Sequence, residues 1–531
     1  MPTFLRMVVK KHNFKNDTIE IFRYCSLIVK SAIKYTLCFL FLLLTQVGIS
    51  QYYFGYTPQA HDIYDDIIDL KLASAKDRLK EMREVEPYNL SVLHLENYID
   101  FFELFITEDY ELFKKLESQK SQRLDILDEH LDDADPYKKF AQAEINLQWA
   151  LARSKFDQLF RASREVLTAY NLLEENEKEH PDFIYNKKSL SIIHSLIETI
   201  TLPGIFKKLF GIKGSIAEGL QEIETVITYT HTHDFIFTAE ADAIYTFILF
   251  YQMNNKKDGL DYLLNSRLDP TQSLLSNFLI AKISRRAGNN ELALETLLKR
   301  PTGPEYSEFF YLDYMEGLSL LYKIDTSSVT KIKAYIDHFE GRHYIKEAYQ
   351  KLAWASLVFD ENIPQYKYYM SQVKSQGYAL LDDDKQALKE SEKNNIPEPT
   401  LLKARLLFDG GYYQKAYTVL TKNAYKYINN DKLSLEFNYR LGRVSQALKN
   451  YPGAIVYFSN TIDSEVNKKS YFACNAALQL AIIYENQKMY DEAISNYRRC
   501  LKMKPSEYKN SLHQKAKTGI NRIEKKEKSK K

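Results

Sequence analysis

Apolar and polar positions alternate through this chain with the period of a helix, and the rhythm is clearest between Ala477 and Pro505. There Leu480, Ala481 and Tyr484, then Ala493 and Tyr497, recur at three- and four-residue steps on either side of a polar break, Asn486-Gln487-Lys488. Such spacing predicts two amphipathic helices joined by a tight turn. Small residues at Ala481 and Ala493 mark where the two would touch most closely. The same two-helix unit is predicted upstream. Phe437–Leu448 and Tyr451–Asn460 carry Leu441, Gly442, Ala454 and Phe458, while Leu401–Phe408 and Tyr412–Leu420 carry Ala404 and Ala416. Further pairs are predicted at 278–299, with Ala281 and Ala293, at 309–339, with Gly317, and at 344–373. The pattern at 136–149 and 156–173 predicts a longer pair that starts at Pro136 and stops at His180-Pro181. From His61 to Leu116 the pattern is helical again, with an especially apolar run between Leu93 and Phe105. The charged stretch Asp382–Asn395 predicts a solvated helix or linker, and Leu512–Ile523 an amphipathic cap.

The unit at 477–505 fills the tetratricopeptide-repeat pattern W-x2-L-G-x2-Y, A-x3-F, P at every slot except the opening Trp, which is Ala477. Leu480-Ala481 stands for Leu-Gly, Tyr484 for Tyr, Ala493 and Tyr497 for the A-x3-F step, and Pro505 for the closing Pro. The C-terminal part of the chain therefore resembles the tetratricopeptide-repeat (TPR) family, more weakly toward the N-terminus. The resemblance implies an all-α fold: a right-handed superhelix of stacked antiparallel helix pairs that binds proteins or peptides. Ala404, Gly442 and Ala481 are spaced by 38 and 39 residues, so these repeats are longer than the usual 34.

Residues 189–220 interrupt the rhythm. An apolar run passes through Leu202-Pro203-Gly204 into Phe206 and Phe210, flanked by Lys207, Lys208 and Lys213. The reading from the residues is a buried helix and a turn that redirects the superhelix. The alternative is a membrane- or hydrophobic-ligand contact through Phe206 and Phe210. This stretch is also similar to a eukaryotic TPR family linked to inclusion-body clearance at the mitochondrial outer membrane.

Composition fits a helical solenoid: 17 Gly and 14 Pro in 531 residues leave little for long loops. Residues 1–50 hold seven Lys/Arg against two acidic residues, which leaves the other 481 near −3 and gives no general attraction to nucleic acid. Lys30 and Lys34 precede the apolar run Leu37–Leu44 and a small-residue exit at Ser50. That arrangement reads as a secretory signal peptide, with an uncleaved anchor as the alternative. The expected organisation is a leader over 1–50, degenerate repeats over 51–220, central repeats over 221–395, TPR units over 396–510, and a cap with a charged tail over 511–531. The resemblance and the leader together imply an exported bacterial protein, periplasmic or envelope-associated.

Candidate chemistry is sparse. The sequence has no Gly-rich phosphate loop, nucleophile elbow, H-E-x-x-H or Cys-x-x-Cys, so no catalytic residue, metal or cofactor is expected. His231, His233 and Asp234 read as a polar turn rather than a metal site. Cys474 and Cys500 fall at the same end of the last helix pair and read as packing residues, with a disulfide as the alternative.

Overall fold

The computed structural model describes residues 51–197, 213–393, 395–427, 430–464 and 470–528. The leader, and with it the predicted signal peptide, lies outside the described residues, as do Phe206 and Phe210. Among the described residues there are 24 α-helices. The first nine are α1 (Pro58–Ile68), α2 (Leu72–Val85), α3 (Ser91–Thr107), α4 (Tyr110–His130), α5 (Pro136–Lys155), α6 (Leu159–Glu179), α7 (Tyr185–Ile197), α8 (Ile216–Thr230) and α9 (Thr238–Phe247). The central helices are α10 (Lys256–Leu264), α11 (Leu274–Arg286), α12 (Asn290–Leu298), α13 (Tyr311–Lys323), α14 (Ser328–His338), α15 (Ile345–Asp360), α16 (Ile363–Ser375) and α17 (Asp382–Ser391). The C-terminal helices are α18 (Pro399–Asp409), α19 (Tyr413–Lys422), α20 (Asp431–Ala447), α21 (Tyr451–Asp463), α22 (Tyr471–Asn486), α23 (Tyr490–Lys502) and α24 (Lys509–Lys528). Neighbouring helices pack in antiparallel pairs, and the pairs stack into a TPR-like helical-repeat superhelix.

The helices begin where a short polar side chain can take an orphan backbone N–H. Asn289 accepts from Leu292 N, Asn430 from Leu433 N, Asn450 from Gly453 N and Ser470 from Phe472 N. With few glycines available, several helices end on larger residues held in the left-handed region, among them Glu108 (φ 55°) and Ile324 (φ 64°). Apolar burial runs as a series of clusters rather than one core, as expected where each repeat touches mainly its neighbours.

The small residues do sit at the tight contacts. A Cβ added at Gly442 would lie 2.6 Å from the Phe458 ring, and one at Gly317 would lie 2.7 Å from Ile332. Ala481 and Ala493 are fully buried in the α22–α23 contact. Ala481→Leu and Ala493→Leu should each cost about 1–3 kcal/mol by overpacking, with helix propensity almost unchanged. Hydrogen exchange should then quicken mainly over residues 470–525. Protection equal to the parent in both variants would show that this contact has room to spare.

Two sequence expectations change. Of the solvated helix or linker expected at 382–395, the helix forms as α17, but one face is not solvated: Ala387 is fully buried, and Asp384 accepts backbone N–H groups from Tyr344 (2.8 Å) and Glu347 (3.0 Å). One acid of its first turn is spent capping the start of α15, which a charge pattern alone does not reveal. The N-terminal helices, in addition, fold across the central ones instead of merely preceding them. Ser307 N donates to Leu70 O (2.8 Å) and Ser273 Oγ to Ile68 O (2.7 Å).

Candidate functional site

That crossing frames a half-open cavity of about 1290 Å³ between α2–α5 and the segment 307–342, with Tyr378 beside it. Its wall mixes charge and aromatic surface, including Lys76, Glu103, Tyr110, Phe156, Glu308, His338, Arg342 and Tyr378. The Arg342 guanidinium lies 4.2 Å from the Tyr378 ring centre and 5.4 Å from that of Tyr110, and its Nε is buried without a hydrogen-bond partner.

Glu108 ties the two sides of the cavity together. It terminates α3 in the left-handed region, a conformation that costs a non-glycine residue roughly 1–2 kcal/mol. Its buried carboxylate accepts from Arg342 N (2.9 Å), His343 N (2.9 Å) and Lys155 Nζ (2.7 Å), and pairs with His343 Nδ1 at 2.8 Å. Burial pushes this carboxyl up, but the hydrogen bond from His343 and the charge of Lys155 outweigh it and bring it to about 2.

A second buried network fixes the N-terminal half. Lys188 lies between Glu144 Oε2 (2.7 Å) and Glu240 Oε2 (2.9 Å), with its ammonium 4.3 Å from the Phe237 ring centre. Tyr64 donates to Glu240 at 2.5 Å, Tyr98 donates to Glu144 at 3.2 Å, and Ser189 also donates to Glu144. The network joins α1, α3, α5 and α7 to the start of α9.

The motif residues read from the sequence are brought together, but as packing. Leu480, Ala481, Ala493, Tyr497 and Pro505 are buried around α22–α23, with Tyr484 half-buried. Leu441, Gly442, Ala454 and Phe458 are buried between α20 and α21, as are Ala404 and Ala416 between α18 and α19. Tyr497 donates to Glu485 (2.7 Å), which also accepts from Arg522 Nε (2.6 Å) and so fastens the cap helix α24. His233 stacks on Tyr229 at 4.1 Å in the turn after α8. Cys474 and Cys500 are buried free thiols with their sulfurs 3.5 Å apart. The one grouping of metal-ligand type among the described residues is His194, Glu218 and Glu222. Two of the three already pair with each other, His194 Nδ1 lying 2.9 Å from the Glu222 carboxylate. No helix among the described residues is long and apolar enough to cross a membrane.

Residues 475–507 match the tetratricopeptide repeat family. That match and the stacked helix pairs together support a protein of the TPR type, a class whose repeats generally mediate protein–protein interactions. A comparison with curated proteins finds no match.

Proposed function

We propose that this chain is a non-enzymatic, protein- or peptide-binding scaffold exported to the bacterial cell envelope. The observation that carries the binding role is the cavity of about 1290 Å³ under the N-terminal helices. It exceeds the roughly 300–1,000 Å³ typical of small-molecule sites, and its mixed charged and aromatic wall suits a polypeptide segment. Helical-repeat solenoids use such inner surfaces for extended partners. The envelope setting rests on Lys34, the apolar run to Leu44 and the exit at Ser50.

Photo-crosslinking residues placed at Glu340 and Tyr378 on the cavity wall should capture a partner protein from envelope fractions. The same residue at exposed Tyr425, outside the cavity, should not. The mature N-terminus of the recovered chain should lie at or near Gln51. Equal capture from all three positions would remove the cavity from the binding role. An intact 35–48 segment in soluble cytoplasmic protein would remove the export.

A further inference from the structure

Helix α11 presents three cations, Lys282, Arg285 and Arg286, to a second cavity of about 310 Å³, whose wall also carries Tyr311, Tyr322 and Tyr344. None of the three makes a salt bridge among the described residues, and Arg285 Nη1 is buried without a hydrogen-bond partner. The acids that share the cavity form no salt bridge with the three among the described residues, although the charge of Glu347 acts on Arg285. Glu347 is bound to Lys351 (3.0 Å), Asp409 faces Arg405 (3.7 Å), and only Asp383 stands without a paired cation. Burial, followed by the neighbouring charges of Arg285 and Arg286, lowers the Lys282 ammonium to about 8. The Lys282 ammonium lies 4.9 Å from the Phe278 ring centre, but no salt bridge among the described residues engages any of the three, and crowded cations held without one mark a site kept for something other than stability.

Lys282, Tyr311 and Tyr344 also form part of a neighbouring chamber of about 190 Å³. Its apolar surface is aromatic: Phe278 lies 5.6 Å from Phe309 and 6.0 Å from Phe105, between ring centres. One buried polar atom in this wall also lacks a partner, His343 Nε2, whose other ring nitrogen is held by Glu108. A cationic chamber and an aromatic chamber thus adjoin, with an unpartnered buried nitrogen in the wall of each.

We propose that the two chambers form one binding site for an organic anion, its carboxylate or phosphate head among Lys282, Arg285 and Arg286 and its aromatic body against Phe105, Phe278 and Phe309. The same chemistry could arrive as a free organic acid or as adjoining acidic and aromatic side chains of a polypeptide, and chambers of only about 310 and 190 Å³ favour the free molecule. The aromatic chamber shares Ile106, Glu108 and Phe339 with the wall of the large cavity, the cationic chamber shares no residue with it, and the proposal does not depend on the scaffold reading.

Titration calorimetry on the full mature chain tests it, with phenylacetate, phenyl phosphate, inorganic phosphate, benzyl alcohol and a capped Glu-Phe dipeptide as probes. The two aromatic anions should bind saturably and at least about tenfold more tightly than inorganic phosphate or benzyl alcohol. Arg285→Gln and Arg286→Gln should each weaken them by about tenfold, the scale of a lost charge-assisted hydrogen bond. Phe278→Leu should weaken the aromatic anions and leave inorganic phosphate unchanged. Lys282→Met should lose binding while its melting temperature stays level or rises, since like-charge crowding is relieved. Arg286 is exposed, so its variant should fold even if that of Arg285 does not. Absence of saturable binding by either aromatic anion, or full binding by Arg286→Gln and Lys282→Met, would overturn the site. Binding of the capped dipeptide without either free anion would overturn its assignment to a free ligand.

Discussion

Lys188→Met should destabilise the N-terminal half of the superhelix by about 3–5 kcal/mol, the usual cost of removing one partner from a buried ion pair. Methionine matches the length of the lysine stem, so the loss would come from charge rather than from a void. It would strand two carboxylates, Glu144 in the interior and Glu240 at its edge, that now share one ammonium 2.7 and 2.9 Å away. Burial lowers the pKa of Lys188, but the charges of Glu144 and Glu240 outweigh it and raise the pKa above the ordinary lysine value. Double replacement, Lys188→Met with Glu144→Gln, should recover much of the loss. Hydrogen exchange should locate the damage in α1, α3, α5, α7 and α9, leaving α18–α24 protected as before. A loss under about 1 kcal/mol would mean that solvent reaches the pair and that the network is no clamp.

The helix pairs were legible in the sequence where small residues mark a contact, as at Gly442 against Phe458 and Gly317 against Ile332. They were legible because a missing side chain at a helix crossing is a local feature, repeated at a fixed spacing. Helix α4 was harder, since Glu111, Lys114, Lys115, Glu117 and Lys120 hide its apolar stripe. Helix α17 misled because one of its acids, Asp384, caps another helix instead of facing water. The cavities were not legible at all. Glu108 meets His343 across 235 residues, and Lys188 meets Glu240 across 52, through a fold-back that no local pattern encodes. The missing hydrogen-bond partner of Arg285 Nη1 is likewise a property of its surroundings: as a sequence, Lys282–Arg286 reads as the cationic end of any amphipathic helix.

The fold-back itself should depend on Glu108. Glu108→Gln keeps the side chain's size and can still accept both backbone N–H groups, from Arg342 and His343, through its one remaining oxygen. Its amide nitrogen would then face Lys155 Nζ and His343 Nδ1, which now lie 2.7 and 2.8 Å from the other carboxylate oxygen. Donors would meet donors, and Lys155 would lose its counter-charge, for an expected cost of about 3 kcal/mol. The pH dependence carries a separate signature. Because the folded pKa, about 2, lies below the unfolded value, Glu108 contributes stability above about pH 4.5 and loses it as pH falls toward 2. His94, pushed down to about 3 by burial and by the charge of Lys188, also weakens the fold in acid, but from about pH 6.5 downward. The parent should therefore lose stability in two overlapping steps, and Glu108→Gln should lack the lower one. Exchange in the variant should rise first over residues 339–345 and at the α3–α4 junction, where Glu108 joins the N-terminal helices to the central ones. An acid profile identical to that of the parent would assign the lower step to other carboxylates and leave the fold-back held by the Ser273 and Ser307 contacts and apolar packing instead.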